Sequence, residues 1–233
     1  MTSQFKSHAP ALKVLLATSL LGFGISANAS LTVTSVIGGA PAGVNFVNFN
    51  NLDLGNAGGT SNNVGVSMNG TAQVVQGSVP EQYAAPYISN TNGLLFGDNT
   101  VSGPDSTKYL TTGYGGSITF NMPEPQRYFG ILWGSVDPQN SLTFFAADGS
   151  TIGTLTGTDI TSTANGDRGA LGTYYVNITS SQSFSKVVAS GTTFEMDNLA
   201  YNATIPVPEA STYAMLLAGL GVLGVINRRR KAA

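Results

Sequence analysis

Apolar and polar residues alternate with a period of two in many windows of the chain between residues 30 and 206. The segments 31–37 and 117–122 are clear examples. A period of two buries one face of an extended strand, whereas an amphipathic helix needs a period of about 3.6. No window of 11 or more residues in this region shows a convincing helical period. The pattern therefore predicts an all-β domain.

Two dipeptides that favour tight hairpin turns, Asn69-Gly70 and Asp148-Gly149, interrupt this pattern. Asn-Gly and Asp-Gly readily adopt the backbone angles that a two-residue hairpin turn demands. Each dipeptide is therefore expected to join two strands that pair with each other. The expected pairs are 64–68 with 72–76 and 141–146 with 151–155.

The most apolar predicted strand is 127–133, which is expected to lie at the centre of the sheet. The segment 123–125 precedes it and contains two prolines, so it is expected to end the strand before it. Three more strands, at 174–179, 184–189 and 192–201, are expected to close the domain. About ten to twelve short antiparallel strands over residues 30–204 predict a β-sandwich that is jelly-roll-like.

The N-terminal segment has the features of a secretory signal peptide in their usual order. Two lysines precede an apolar core of 12 residues, 14–25, and small residues follow at Ala27 and Ala29. This order predicts a signal peptide over residues 1–29, export by the Sec translocon and cleavage after Ala29. A permanent N-terminal span is the alternative, and so short a core disfavours it.

An uncharged, mostly apolar run of 17 residues, 210–226, lies near the C-terminus. Its length is at the short end of what crosses a bilayer as a helix. Four cations follow it, namely Arg228, Arg229, Arg230 and Lys231, and such a cluster stays on the cytoplasmic side. The tail, residues 205–233, is therefore expected to hold a single transmembrane helix at about 210–226 and a basic membrane stop at 228–231.

A short Pro-Glu motif begins three residues before this run and extends into it. Its residues are Val207, Pro208, Glu209, Ser211 and Thr212. With the apolar run and the basic stop, it resembles the PEP-CTERM sorting tail of bacterial surface proteins, although Ala210 stands where the usual motif has a second proline. The resemblance implies transient anchoring in the inner membrane and removal of the tail by an exosortase, a membrane-embedded thiol protease. A permanent anchor and a buried C-terminal helix are the alternatives.

Charge and composition limit the chemistry of the predicted domain. Between residues 30 and 206, four cations face eleven acids, a net charge of −7, which argues against binding to nucleic acid or to anionic lipid. The chain has no Cys, and its one His is His8 in the predicted signal peptide. Thiolate and His-ligated metal sites and Ser-His-Asp triads are therefore excluded from the domain, which leaves carboxylate chemistry or an oxygen-ligated cation.

The segment 128–140 contains the only tryptophan, Trp133, followed by Asp137 and Asn140. With 194–200, it resembles a family of exosortase-dependent surface proteins of unassigned biochemical role, and this resemblance implies location rather than activity. An exposed Trp133 could stack on a sugar ring, so these three residues form a candidate ligand surface. The preferred alternative is a buried tryptophan whose N–H bonds a neighbouring carbonyl, in a turn that Asp137 and Asn140 stabilise through its own backbone.

Glu195, Asp197 and Asn198 form a candidate metal site near the end of the predicted domain. In a strand, Glu195 and Asp197 lie on one face, and the apolar residues beside them lie on the other. Two carboxylates and an amide oxygen suit Ca²⁺, as in a calcium-dependent carbohydrate-binding module. The alternative is a solvated acidic face.

The segment 77–106 is the least regular part of the predicted domain and contains three prolines. A long irregular loop inside a compact domain is typical of a ligand-binding surface. The preferred interpretation is that this segment covers one sheet.

These observations predict a non-enzymatic protein that is exported, anchored and then released into or onto the extracellular polysaccharide of a Gram-negative bacterium, as in a biofilm. Its expected partners are the Sec translocon, an exosortase and the inner membrane, with extracellular polysaccharide as a further candidate. The residues specify no definite cofactor, and Ca²⁺ is the one candidate. A calcium-dependent carbohydrate-binding module and a glycan-active hydrolase with two opposed carboxylates are the alternatives.

Overall fold

The computed structural model describes residues 29–36, 39–89, 92, 102–206 and 220. They form eleven strands and one helical turn, α1 (Gly157–Ile160). The strands are β1 (Leu31–Val36), β2 (Asn45–Val47), β3 (Gly59–Ser61), β4 (Val64–Asn69), β5 (Gln73–Gln76), β6 (Tyr87–Ile88), β7 (Gly103–Pro104), β8 (Lys108–Gly134), β9 (Ser141–Phe145), β10 (Thr151–Thr156) and β11 (Tyr174–Asn202). Their pairings are antiparallel. The prediction of an all-β antiparallel domain is confirmed.

The long strands β8 and β11 run through two ladders of paired strands. In the first ladder, residues 117–121 of β8 lie between β4 and residues 186–190 of β11, which pair in turn with β9. In the second ladder, residues 128–134 of β8 lie between two separate parts of β11, 174–179 and 195–202. β1 and β2 extend the second ladder on its two sides. The predicted strand 127–133 is therefore central, as expected.

Each of the long strands β8 and β11 contains segments that the sequence pattern predicts as separate strands. The expectation that 123–125 ends a strand is wrong, because β8 continues through it. Residues 122–125 have no ladder partner among the described strands, so the two prolines remove no ladder hydrogen bond there. The three strands expected between 174 and 201 are one strand, β11, whose pairing shifts register as it passes between the ladders.

One of the two predicted hairpins forms. Asp148-Gly149 joins β9 to β10, where Gly149 has a φ of 84° and the Asp148 carboxylate accepts a hydrogen bond from the backbone N–H of Ser150 at 2.9 Å. The pairing expected around Asn69-Gly70 is wrong. β4 and β5 each pair with β8, at residues 117–121 and 108–111. This turn therefore connects two strands that pair with different parts of β8.

The two ladders share one apolar core. Phe129 of the second ladder meets Phe120 and Phe144 of the first, with ring centroids 5.9 and 5.6 Å apart. Phe184 lies 5.1 Å from Phe144 and 6.3 Å from Phe129. The Phe129 and Phe144 planes meet at 86°, the edge-to-face arrangement that aromatic rings favour. These four rings join the ladders into one body.

The second ladder is buried on its other face as well. Tyr128 and Tyr175 lie in a separate buried cluster there. The Tyr128 hydroxyl donates a hydrogen bond to the Asn177 side-chain oxygen at 2.5 Å, and the Asn177 side-chain N–H donates to the carbonyl of Gly39 at 3.3 Å. Burial raises the pKa of both tyrosines, so they remain neutral hydroxyl groups.

Gly130 lies beside these hydroxyls. A Cβ atom at this position would collide with the Tyr128 hydroxyl and would lie 2.9 Å from the Tyr175 hydroxyl. Gly130→Ala is therefore expected to lower the free energy of unfolding by about 1–3 kcal/mol. In the matched control Gly65→Ala, on β4, the new Cβ meets Asn121 at an ordinary 3.5 Å, so stability changes by less than about 1 kcal/mol. Urea denaturation checks both variants, and equal midpoints for the two would contradict the packing of this layer.

Candidate functional site

Trp133, the centre of the candidate ligand surface, is fully buried. Its ring packs on Phe194 with centroids 4.4 Å apart and planes at 30°. The interpretation that it stacks on a sugar is therefore wrong, and the alternative of a core tryptophan is confirmed. The indole N–H has no hydrogen-bond partner among the described residues, so the expected bond to a neighbouring carbonyl does not form among them.

Asp137 and Asn140 lie after β8 and fasten its end to β11. Asn140 is buried, and its side-chain N–H donates to the carbonyl of Thr193 at 3.0 Å. The half-buried Asp137 carboxylate accepts a hydrogen bond from the Thr193 hydroxyl at 3.0 Å. Within the turn, the Asn140 backbone N–H donates to the Asp137 carbonyl at 3.2 Å. These contacts hold two strands together, and with Trp133 buried the three residues do not form a ligand surface.

Glu195 and Asp197 lie on the face of β11 opposite to Phe194 and Met196, which belong to the shared core. Both carboxyl groups are buried, with exposed fractions of 1% and 0%. The Glu195 Oε1 atom accepts a hydrogen bond from the backbone N–H of Ala84 at 3.1 Å. The alternative of a solvated acidic face is therefore wrong, because both residues are buried and another segment of the chain covers Glu195.

Residues 78–89 form this cover. Ala84 and Ile88 are buried, and Pro86 packs so closely on β8 that a Cβ at Gly134 would lie 3.2 Å from it. Residues 78–89 of the irregular segment therefore cover one side of the second ladder, as the preferred interpretation predicted.

Burial raises the pKa of Glu195. The Ala84 backbone N–H, the nearby Ser135 side chain and the charge of Arg168 lower this pKa but do not outweigh burial. Glu195 therefore takes up a proton more readily in the folded protein than in the unfolded chain. After burial itself, Glu195 is also the largest cause of the raised pKa of Tyr109.

Asn198 has a left-handed backbone with a φ of 52°, a conformation that Asn tolerates better than most residues. Its carbonyl accepts a hydrogen bond from the Tyr175 hydroxyl at 3.0 Å. Its buried side-chain amide has no hydrogen-bond partner among the described residues. Within that part of the chain, no group of three or more His, Cys, Asp or Glu residues could hold a metal ion. The Ca²⁺ site at Glu195, Asp197 and Asn198 stays a prediction.

A groove of about 650 Å³ opens on the surface beside the register shift of β11 at 191–193. We call it the polar groove. Its walls come from β8, β11, the turn between β4 and β5, and the segments 55–56 and 81–83. These segments are far apart in the sequence, and they meet through the pairing of β8 with β5 and with β11 and through the bridge between Gly55 and Val74. Inspection of local sequence patterns therefore could not find the groove.

Hydrogen bonds fix one wall of the polar groove. The Gly113 backbone N–H donates to the Thr71 hydroxyl at 3.1 Å, and that hydroxyl donates to the Tyr114 carbonyl at 3.4 Å. A Cβ at Gly116 would lie 2.9 Å from the backbone nitrogen of Ala72 and closer still to two threonine hydroxyls. Glycine at this position allows the turn to pack directly on β8.

The surface of the polar groove is uncharged except at one residue. Among the described lining residues, Glu81 alone carries a formal charge. Asn56 and Gln82 are exposed, and Tyr114 is 85% exposed. The sequence signal is Tyr114 itself, an aromatic residue surrounded by glycines in the segment 113–116. Glycines cannot shield the ring from solvent.

The targeting segments lie outside the described residues, apart from Ala29, Ile205, Pro206 and Leu220. The residues outside the described part include Ala27, the motif at 207–212, most of the apolar run and the basic stop. No helix in the part of the chain that the structure describes is long and apolar enough to cross a membrane. The transmembrane helix expected at about 210–226 therefore remains a prediction.

Comparison with known proteins identifies the C-terminal segment. Residues 206–231 match the family model of the PEP-CTERM protein-sorting motif. No curated protein matches the chain. Among solved structures, the enzymatically active domain of tailspike protein 4 from bacteriophage CBA120 is similar, with 14% identity and a TM-score of 0.23 over 62% of this chain and 19% of that one. So weak a likeness supports no statement about fold or function.

The matched residues include the Pro-Glu motif, the apolar run and the basic stop on which the sorting prediction rests. The resemblance of this tail to a sorting signal is confirmed. Residues 206–231 of the chain are therefore a PEP-CTERM protein-sorting motif, a signal that implies export and processing by an exosortase.

Proposed function

We propose that the protein acts at the cell surface or in the extracellular matrix of a Gram-negative bacterium, with a non-enzymatic, structural or adhesive role in exopolysaccharide or biofilm. The sorting motif at 206–231 carries this proposal, since it marks the chain for export. The strand architecture supports it, because one large apolar core stabilises the domain without disulfides. Two ladders around that core favour the jelly-roll-like β-sandwich.

The proposed route has three steps. The Sec translocon exports the chain, and signal peptidase cleaves after Ala29. The helix at about 210–226 then holds the protein in the inner membrane, with the basic stop at 228–231 in the cytoplasm. Finally, an exosortase removes the tail and delivers the domain to the surface.

The placement of the acids supports a non-enzymatic role. A glycan hydrolase needs two carboxyl groups on opposite sides of a substrate. Glu195 and Asp197 are instead side by side on one strand face and buried. The Asp137 carboxylate accepts a hydrogen bond from the Thr193 hydroxyl. The domain sequence also contains no histidine or cysteine, the residues that most often act as general base or nucleophile.

The form of the protein recovered from the cell surface and the medium is expected to begin at Ser30 and to lack residues 228–233, because both targeting segments are removed. Mass spectrometry of its two termini measures this directly. As a control, a variant with Pro208→Ala and Glu209→Ala should keep its tail and stay in the membrane fraction. Intact residues 228–233 in the surface form would contradict processing and leave a permanent anchor.

A calcium-dependent carbohydrate-binding module is the second candidate function. The observation that favours it is a pair of buried oxygen atoms, Oε2 of Glu195 and Oδ1 of Asn198, that accept no hydrogen bond within the described part of the chain. Carboxylate and amide oxygens are ligands that Ca²⁺ prefers. A cation here would also neutralise the buried carboxylates.

Glu195→Gln distinguishes a purely structural carboxyl group from a calcium ligand. Without a cation, the raised folded pKa means that wild-type stability falls as pH rises from the ordinary value of 4.5 through the folded value. The variant does not ionise, so it should match wild type near about pH 4 and unfold at a higher temperature than wild type at about pH 8. With a calcium site, Ca²⁺ instead stabilises wild type at the higher pH, and the variant loses this effect.

Thermal unfolding of the full-length chain in Ca²⁺ and in EDTA provides the measurement. Glu124→Gln, which changes an exposed carboxylate of β8, is the control and should unfold like wild type. If Ca²⁺ leaves wild type unchanged, the second candidate function is wrong. If Glu195→Gln in EDTA unfolds below wild type at about pH 8, the account of burial is wrong.

A further inference from the structure

The polar groove has the dimensions and depth of a ligand site. Its volume of about 650 Å³ falls within the range of about 300–1,000 Å³ that is typical of ligand pockets. Thr111 and Ala72 are buried and form its floor, whereas Gln82 and Tyr114 are exposed at its rim. The buried acid Glu195 does not line it. The groove is therefore a separate region of the molecule from the candidate metal site.

Backbone hydrogen bonds hold two sides of the polar groove in place. Gly55 exchanges two backbone hydrogen bonds with Val74, at 2.7 and 3.0 Å, which fix one side. On another side, the backbone N–H groups of Gln82 and Tyr83 both donate to the carbonyl of Val79 at 3.1 Å. Walls held in this way lose little conformational freedom when a ligand binds, which favours affinity.

Glu81 lies at the rim in an unfavourable backbone conformation. Its φ of 62° is left-handed, a region that L-residues other than Asn and Asp rarely adopt. Such residues persist where the surrounding structure imposes them, and they are concentrated at binding sites. The conformation of Glu81 is thus a second indication, independent of groove volume, that this surface is functional.

The chemistry of the lining favours a neutral ligand rich in hydroxyl groups. Side chains of Asn56, Gln73, Gln82 and Thr192 line the groove, and each can both donate and accept hydrogen bonds. None of the described lining residues is Lys or Arg. Because Glu81 and a domain net charge of −7 repel anions, an acidic polysaccharide is disfavoured.

Tyr114 adds a flat apolar surface to this polar lining. Its ring is 85% exposed, and its neighbours Gly113 and Gly115 have no side chains to cover it. An amphipathic ring of this kind packs its apolar face on a ligand while the groups around it form hydrogen bonds. The pyranose ring of a sugar offers both a flat C–H face and a rim of hydroxyls.

We propose that the polar groove binds a neutral glycan chain, with Tyr114 as the stacking surface and the amides of Gln73 and Gln82 as hydrogen-bond partners. This site deepens the proposed adhesive role and rests on it, because delivery to the surface brings the groove to extracellular polysaccharide. The site requires no metal ion and uses none of the residues of the candidate calcium site.

Isothermal titration of the full-length chain with a panel of neutral hexose oligosaccharides, and with oligouronates for comparison, tests the proposal. Tyr114→Ala should weaken binding to the neutral oligosaccharides by about tenfold or more, as for a central aromatic contact. Tyr114→Phe should stay within about threefold of wild type, because the ring remains. Leu171→Ala is the matched control, since Leu171 is 82% exposed but does not line the groove.

Binding to a neutral oligosaccharide that is weakened by Tyr114→Ala and unchanged by Leu171→Ala supports the site. The proposal is overturned if wild type binds nothing in the panel, if it prefers oligouronates, or if Tyr114→Ala binds as well as wild type. None of these outcomes alters the masses of the protein termini, so failure of the glycan site and failure of the sorting route are distinguishable.

Discussion

The antiparallel pairing of β8 with β11 is the interaction on which the rest of the structure depends. Residues 128–134 of β8 have a part of β11 on each side, so their backbone donors and acceptors are used within the sheet. Because these backbone groups are hydrogen-bonded, the segment can be buried on both faces. Phe129 and Trp133 face the core between the ladders, and Tyr128 and Leu132 face the second buried layer.

The same pairing separates two kinds of surface chemistry. On one face of β11 it places Glu195 and Asp197 in the interior of the domain, where burial raises the pKa of Glu195. Beside the register shift at 191–193 it brings remote segments together around an open, nearly uncharged groove. The carboxylates therefore belong to the interior of the domain, whereas the groove is open to solvent and is the site that we propose for a glycan.

What could be predicted from the sequence depended on how local the determining interaction is. The all-β class, the central strand and the hairpin at Asp148-Gly149 follow from neighbours within a few residues. The Pro-Glu motif, the apolar run and the basic stop follow one another in the sequence, so the sorting tail can be predicted without knowledge of the fold. The prediction that the strands around Asn69-Gly70 pair with each other is wrong, because both β4 and β5 pair with β8, which is distant in the sequence. The solvation of Glu195 and the existence of the polar groove likewise depend on segments remote in sequence.

Hydrogen–deuterium exchange of the full-length protein tests the central claim most directly, because it measures the protection of each part of β8 and β11. The account predicts the slowest exchange in residues 128–134 and in the two parts of β11 that flank them. β10, which pairs only with β9 among the described strands, should exchange much faster. If residues 128–134 exchange as fast as β10, the pairing of β8 with β11 is not the interaction that holds this domain together.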